Sequence, residues 1–333
     1  MKAKLVRWLT DAWYKEMYLS SAIMPLSMLY VDVIRFRHFL YRIGVLKSWR
    51  SPVPVIIVGN ITVGGTGKTP LVIKLVELLT EQGYKPGVIS RGYAGTANQI
   101  AQTVTAHSDT ALVGDEAVLL ASRCACPVVI AAKRVEAAQF LLANFDCNVI
   151  ISDDGLQHYA LQRDFEIVVI DGERRFGNGY CLPAGPLREP TERLKKVDWV
   201  LVNGGQDLQE NETALYCRGD ELVNLLSGER KPLTAFNNTA CHAVAAIGNP
   251  ARFFKQLSAA GLTITPHAFP DHYAYSASDL NFKQSLPIIM TEKDAVKCRP
   301  FAQAQHWYLP ITADVSPLFT DPLLSSLKDK IHG

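Results

Sequence analysis

Two short segments of this chain carry residue types suited to holding phosphate and its counter-ion. Gly64, Gly65 and Gly67 lead into Lys68 and Thr69. Glycines let consecutive backbone N–H groups turn inward as a nest for anionic oxygens, lysine adds a positive point charge, and a threonine hydroxyl suits Mg²⁺. Thr62, Val63, Gly64, Gly65, Thr66, Gly67, Lys68 and Thr69 together form a candidate nucleotide-phosphate loop. The pattern G-x-x-x-x-G-K-[ST] calls for glycine where this chain has Thr62, and its other fixed positions hold. The second segment is Ser152-Asp153-Asp154, directly after the apolar run 149–151. A carboxylate at such a strand tip can hold Mg²⁺ directly or through water. Asp171, after the apolar run 167–170, has the same shape. Adjacent Asp153 and Asp154 would repel each other without a cation, which favours the first site.

Other candidates are single residues at element ends. Asp115 and Glu116 follow Gly114 at the start of an alanine-rich stretch, where helix N-terminal capping accounts for one acid. Asp271-His272 sits in a proline-led loop after a strand-like run, a place for a proton-handling pair. Arg91 and Tyr93 follow the apolar run ending at Ser90, and strand ends in parallel sheets face the ligand crevice; a plain turn is the competing reading. In the long loop 177–190, Arg188 can clamp a phosphate with its planar fork or pair with Glu189.

These groups need a scaffold, and the pattern supplies one. Val55, Ile56, Ile57 and Val58 are a continuous β-branched run, suited to a strand buried on both faces. Pro70 fits the first turn of the next helix, where Leu71, Leu75, Leu78, Val72, Val76 and Leu79 form an apolar face. Further strands are expected at 86–90, 128–130, 149–151, 167–170 and 199–202, with a helix around 134–143 between two of them. Strand and helix alternate, the mark of βαβ units. The expectation is an α/β fold: a P-loop NTPase-like, mostly parallel sheet flanked by helices. Residues 94–109 read as loop. Composition turns polar near Gly204, which sets an expected boundary between a nucleotide-binding domain, 51–204, and a smaller α/β domain, 205–333.

Bulk properties exclude several classes. The 333 residues are 48% hydrophobic and 20% charged, an ordinary folded composition. A net charge of +2 with no aromatic-basic motif gives no case for nucleic acid. Seven cysteines, an odd number, suggest reduced structural thiols. Residues 1–50 differ from the rest, with Trp8, Trp13, Tyr14, Tyr18, Tyr30, Tyr41 and Trp49. The most apolar stretch there, 17–31, holds three serines and Pro25 and is shorter than the roughly 20 residues that span a bilayer. After Pro25 a helical pattern resumes, with Leu29, Val33, Phe36, Leu40 and Ile43 on one stripe and Arg35, His38 and Arg42 on another. Such a helix either lies in a membrane interface or packs on its own domain.

Taken together, GNITVGGTGKTP (59–70), SRGY (90–93), GDEA (114–117), SDDGLQH (152–158), LPAGPLRE (182–189), FPDHY (269–273) and TEKDAVK (291–297) resemble one family, the tetraacyldisaccharide 4'-kinases of lipid A (lipopolysaccharide) biosynthesis. The sequence departs from that pattern at Tyr273, where many members carry a second histidine. The resemblance implies transfer of the ATP γ-phosphoryl group to the 4'-hydroxyl of a tetraacyldisaccharide 1-phosphate, giving lipid IVA. It further implies Asp115 as general base assisted by His272, Lys68 on the phosphates, Thr69 and Asp154 at Mg²⁺, and Asp153 and His158 lining the cleft. A lipid acceptor implies a peripheral enzyme at the cytoplasmic face of the inner membrane. The alternative is a P-loop switch or assembly protein with no lipid acceptor, against which the poor guanine-reading match at 291–294 weighs.

Overall fold

The computed structural model describes residues 13–14, 18–92, 100–205 and 207–332; Tyr93 and residues 1–12 lie outside them. Its elements are α1 (Tyr18–Arg42), β1 (Val55–Gly59), α2 (Lys68–Glu81), β2 (Pro86–Ser90), β3 (Gln102–Val104), α3 (Thr110–Val113), α4 (Asp115–Arg123), β4 (Val128–Ile130), α5 (Arg134–Asn144), β5 (Val149–Asp153), β6 (Phe165–Asp171), β7 (Trp199–Asn203) and β8 (Glu212–Arg218). The chain continues through β9 (Glu221–Asn224), β10 (Arg230–Pro232), β11 (Ala240–Ala245), α6 (Pro250–Ala259), β12 (Thr263–Ala268), β13 (Ile288–Thr291), α7 (Glu292–Cys298), β14 (His306–Leu309), β15 (Thr312–Val315) and α8 (Pro317–His332).

The first sheet has nine strands in the order β15-β8-β7-β6-β1-β5-β2-β4-β3. β1 is fully buried and lies parallel between β5 and β6, as its unbroken β-branched run requires. Among the described residues of this sheet, only the edge strands β3 and β15 run antiparallel to their neighbours. One face of the sheet packs on Leu71, Leu75 and Leu79 of α2, Leu120 of α4, and Phe319, Leu323 and Leu327 of α8. The opposite face packs on Leu141 of α5 together with Leu156, Leu161 and Leu187. The second sheet, β10-β9-β14-β13-β11-β12, is smaller, with its own cores around Phe253 and Trp307 on one face and Met290 and Leu280 on the other.

Three expectations change. The break between the sheets does not fall at 204: β8 continues the first sheet parallel to β7, and β15 and α8 return to it after the second sheet is complete. The polar run after Ser90 contains the short edge strand β3, whose half-exposed pattern carries little apolar signal. Finally, α1 passes through Pro25 without interruption. Pro25 is exposed, so its ring lies on the side of the helix turned away from the core.

Candidate active site

The glycine-rich turn follows β1 and opens α2, so the helix N-terminus and the inward N–H groups face the same space. Gly67 has φ 101°, and a Cβ there would stand 2.4 Å from Asn203 Nδ2, so only glycine fits. Asn203 donates to the Thr66 carbonyl at 3.0 Å, anchoring the loop to β7. The departure at Thr62 has a local cause: Thr62 is buried in a β-bridge with Leu187, and the neighbouring Val63 donates to the Pro186 carbonyl. Where a glycine would turn, this chain pairs with the loop that carries Arg188.

Lys68 Nζ lies 3.4 Å from Asp154 Oδ1, and Arg188 Nη1 donates to both Asp154 oxygens at 3.0 Å. Arg188 therefore pairs with Asp154. Glu189 is buried on the other side, accepting from Gln157 Nε2 and the Tyr159 hydroxyl. Burial alone would raise the Asp154 carboxyl, but Lys68, Arg188 and Arg134 hold it well below the usual range. Asp153 behaves oppositely: full burial, helped by Glu116 and Asp154, pushes it up, and its Oδ1 has no hydrogen-bond partner. Asp154 has φ 47°, a left-handed conformation rare outside glycine, asparagine and aspartate, which aims its carboxylate back at the loop. The rival Asp171 is occupied elsewhere, accepting from the backbone N–H groups of Glu173 and Arg174 and from the Arg174 guanidinium.

Asp115 is the first residue of α4 and is buried. His272 Nδ1 lies 3.1 Å from its Oδ1 and 3.2 Å from its Oδ2. Burial would raise Asp115, but the His272 bond, with Lys293 and Lys297, brings it down to about 2. The hydrogen bond to Asp115 raises His272, against burial and Lys293. His272 has φ 58°, a left-handed backbone conformation uncommon outside glycine, in the loop after β12. A cleft of about 370 Å³ is lined by Val63, Arg91, Glu116, Ala117, Asp154, His158 and Arg188 among others, and Asp115 directly precedes Glu116 in the chain. His158 is pushed down to about 3, by burial first and then by Arg134 and Arg91, so its ring is neutral at pH 7. Arg91 lines the cleft with an exposed side chain.

Sequence reasoning missed Arg134, Lys293 and Lys297. Arg134 is buried and donates to the Asp153 carbonyl at 2.8 Å, and burial lowers its guanidinium to about 10. A signal existed: Lys133 and Arg134 begin α5, where the helix dipole disfavours cations. Lys293 and Lys297 stand four apart on α7, one face of a helix that reads as surface until β13 shows what it faces.

A mostly parallel sheet with a glycine-rich loop, a loop lysine facing an aspartate just past the end of the neighbouring strand, and a second acid paired with histidine next to a cleft residue define a nucleotide-dependent phosphotransferase of the P-loop class. The family model for tetraacyldisaccharide-1-P 4'-kinase matches residues 19–328. The tetraacyldisaccharide 4'-kinase of Nitrosococcus oceani is 50% identical over 316 residues, covering 95% of this chain and 93% of that protein. The protein of the same name from Tolumonas auensis is 48% identical over 324 residues, covering 96% and 98%. The crystal structure of the "apo" form of LpxK from Aquifex aeolicus in complex with ATP superposes with a TM-score of 0.78 at 28% identity, over 95% of this chain and 100% of that one. This chain belongs to the tetraacyldisaccharide-1-P 4'-kinase family.

Proposed function

We propose that this enzyme transfers the γ-phosphoryl group of ATP to the 4'-hydroxyl of a tetraacyldisaccharide 1-phosphate, forming lipid IVA. The observation that carries the reading is a cleft lined by Val63 of the phosphate loop, by Asp154 in contact with Lys68, and by Glu116 next to the Asp115–His272 pair. Phosphoryl transfer needs alignment and charge neutralisation more than covalent chemistry. Loop N–H groups and Lys68 seat the triphosphate, and Arg188 swings from Asp154 to the transferred group. Arg91 and His158 line the acceptor side of the cleft, with Tyr93 following Arg91 in the chain. Asp115 accepts the hydrogen bond of the sugar hydroxyl and takes its proton late, when the new P–O bond is forming, and His272 holds the carboxylate in place.

The donor set suits Mg²⁺, a hard cation that keeps several waters and uses one or two protein oxygens beside the phosphates. Thr69 and Asp154 would hold it, and the unpartnered Oδ1 of Asp153 fits a role beside it. When bound it would supply charge neutralisation for the phosphoryl oxygens of the nucleotide. Incubating the protein with ATP, Mg²⁺ and the detergent-dispersed disaccharide should give a product heavier by one phosphate, read by mass spectrometry. ATP hydrolysis with an unmodified disaccharide would overturn the reading in favour of an acceptor-free switch.

The acceptor must be met at a bilayer, and α1 is built for that. Its inner side is fixed to the Arg188 loop: Ser27 Oγ donates to the Cys181 carbonyl at 2.7 Å, and the Tyr30 hydroxyl to the Arg188 carbonyl at 3.1 Å. Its outer side leaves Leu26, Met28, Leu29, Val33, Phe36, Phe39 and Ile43 exposed. The inner face packs on the helix's own domain, and the exposed apolar outer face supports an interfacial role. No described helix is long and apolar enough to cross a membrane. Arg35, Arg42 and Lys196 line a groove of about 420 Å³ beside the helix, suited to anionic head groups, whereas Arg193 is committed to Glu166 and Glu189 and Arg50 is paired with Asp164. The placement is peripheral, at the cytoplasmic face of the inner membrane. Phe36→Asp with Phe39→Asp should cost about 3 kcal/mol or more of insertion, roughly a hundredfold in vesicle partitioning, with ATP affinity unchanged. Wild-type partitioning would refute the interfacial helix.

A further inference from the structure

Asp115 belongs to the first sheet's unit, yet the cations around it come from the second. Lys297 Nζ stands 3.6 Å from Asp115 Oδ2, and Lys293 Nζ stands 3.9 Å from the same oxygen. Both lysines are on α7, which follows β13 in the second sheet, and His272 comes from the loop after β12. The remaining charged neighbours are accounted for. Lys293 also contacts Glu116 at 2.9 Å and Asp271 at 3.4 Å, so one ammonium ties three acids from both units. Lys297 lies 2.9 Å from Asp294 Oδ1 and 5.0 Å above the Tyr275 ring. Asp294 is itself fixed, accepting from Ala246 N and the Thr291 hydroxyl. The Lys297 side chain is only 7% exposed and cannot swing out to solvent without unpacking α7.

Two fixed contacts act on the other oxygen of Asp115: Glu116 N donates to Oδ1 at 2.9 Å, and His272 Nδ1 lies against it. The carboxylate is therefore held by the Glu116 N–H at Oδ1, by the α7 lysines at Oδ2, and by His272 Nδ1 across both oxygens. We infer that Lys297, with Lys293 beside it, is a positioning residue for phosphoryl transfer, clamping the Asp115 carboxylate from the second unit so that the base is complete only when the two units are together. This rests on the kinase reading above. An ammonium that attracts the carboxylate also weakens it as a base, as the lowering of Asp115 shows. Orientation and ionisation count for more than basicity where the proton moves late. Lysine suits the position better than arginine because a compact point charge fits between Asp115, Asp294 and the Tyr275 ring.

The test is a double-mutant cycle on lipid phosphorylation, with ATP affinity measured directly as a check on folding. In the wild-type background Lys297→Met should lower kcat by about tenfold to a hundredfold with the KM for ATP within about threefold, and Lys297→Arg should recover part of the loss. In an Asp115→Asn background the same Lys297→Met change should leave the residual turnover within about twofold, because the carboxylate it serves is gone. Wild-type kcat in Lys297→Met, or an equal loss in both backgrounds, would overturn the inference while leaving the kinase reading intact. A wild-type enzyme inactive on the disaccharide would instead defeat that reading. Should Lys297→Met fail to bind ATP, the cycle is run with the less enclosed Lys293→Gln, expected to cost about threefold to tenfold; no change there overturns the inference too.

Discussion

Asn in place of Asp115 is expected to lower kcat for lipid phosphorylation by about 10²–10⁴, with ATP affinity within about threefold of the wild type. The side chain keeps its shape and its place at the start of α4, so the helix and the Glu116 contact survive. The lost capacity is to accept a proton and to pair with His272, Lys293 and Lys297. A loss smaller than about tenfold would remove Asp115 from the proton-accepting role. The same variant should change the pH dependence of stability in a defined window. Asp115 is held down from an ordinary 3.8 to about 2, so its contribution is present above about pH 4 and lost as pH falls toward 2. His272 is held above its ordinary 6.5, so its contribution is present below that value and lost as pH rises through the raised one. The Tm advantage of the wild type over Asp115→Asn should therefore be largest between about pH 4 and 6.5 and shrink on either side. An advantage that is flat from pH 3 to 9 would mean that the ion pair adds nothing to the fold.

Lys68→Met should reduce kcat/KM for ATP by about 10²–10³, the scale on which removing one preorganised charge from a reacting oxygen acts. Lys68 is half-buried at the first position of α2, where it adds its charge to the helix N-terminus. Methionine keeps the apolar stem and removes only the ammonium. In the nucleotide-free protein Asp154 would still be paired with Arg188, so the fold should tolerate the change and Tm should move by only a few degrees. Turnover close to that of the wild type would show that the triphosphate does not sit on this loop, and would sink the reading of the whole cleft.

How far the sequence revealed this molecule follows from the kind of signal each residue carries. β1, its loop and α2 were legible because burial on both faces, glycine nests and a 3.6-residue stripe each leave a local pattern. Asp153 and Asp154 on one side and Asp171 on the other all follow apolar runs, and only contacts distinguish them: Asp154 faces Lys68, whereas Asp171 accepts from the turn after β6. Lys293 and Lys297 were illegible because their role lies in an acid about 180 residues earlier, a relation with no local pattern. β8 and β15 escaped because half-exposed strands alternate weakly, and α8 because it carries Pro322 inside it. The boundary near Gly204 was drawn where composition changed, while the sheet continued past it.

The return of β15 and α8 to the first sheet bears on how the protein comes into being on the ribosome. β8, whose Cys217 lies against the turn at Gly67, has its outer edge covered by β15, and Phe319, Leu323 and Leu327 fill the core beneath α2. These pieces emerge some 240 residues after the turn they support. The nascent chain must therefore carry an unfinished first half, with bare strand edge and open apolar surface, through synthesis of the entire second sheet. Competence to grip a nucleotide arrives late in translation, and until then this half is the part most in need of chaperone cover.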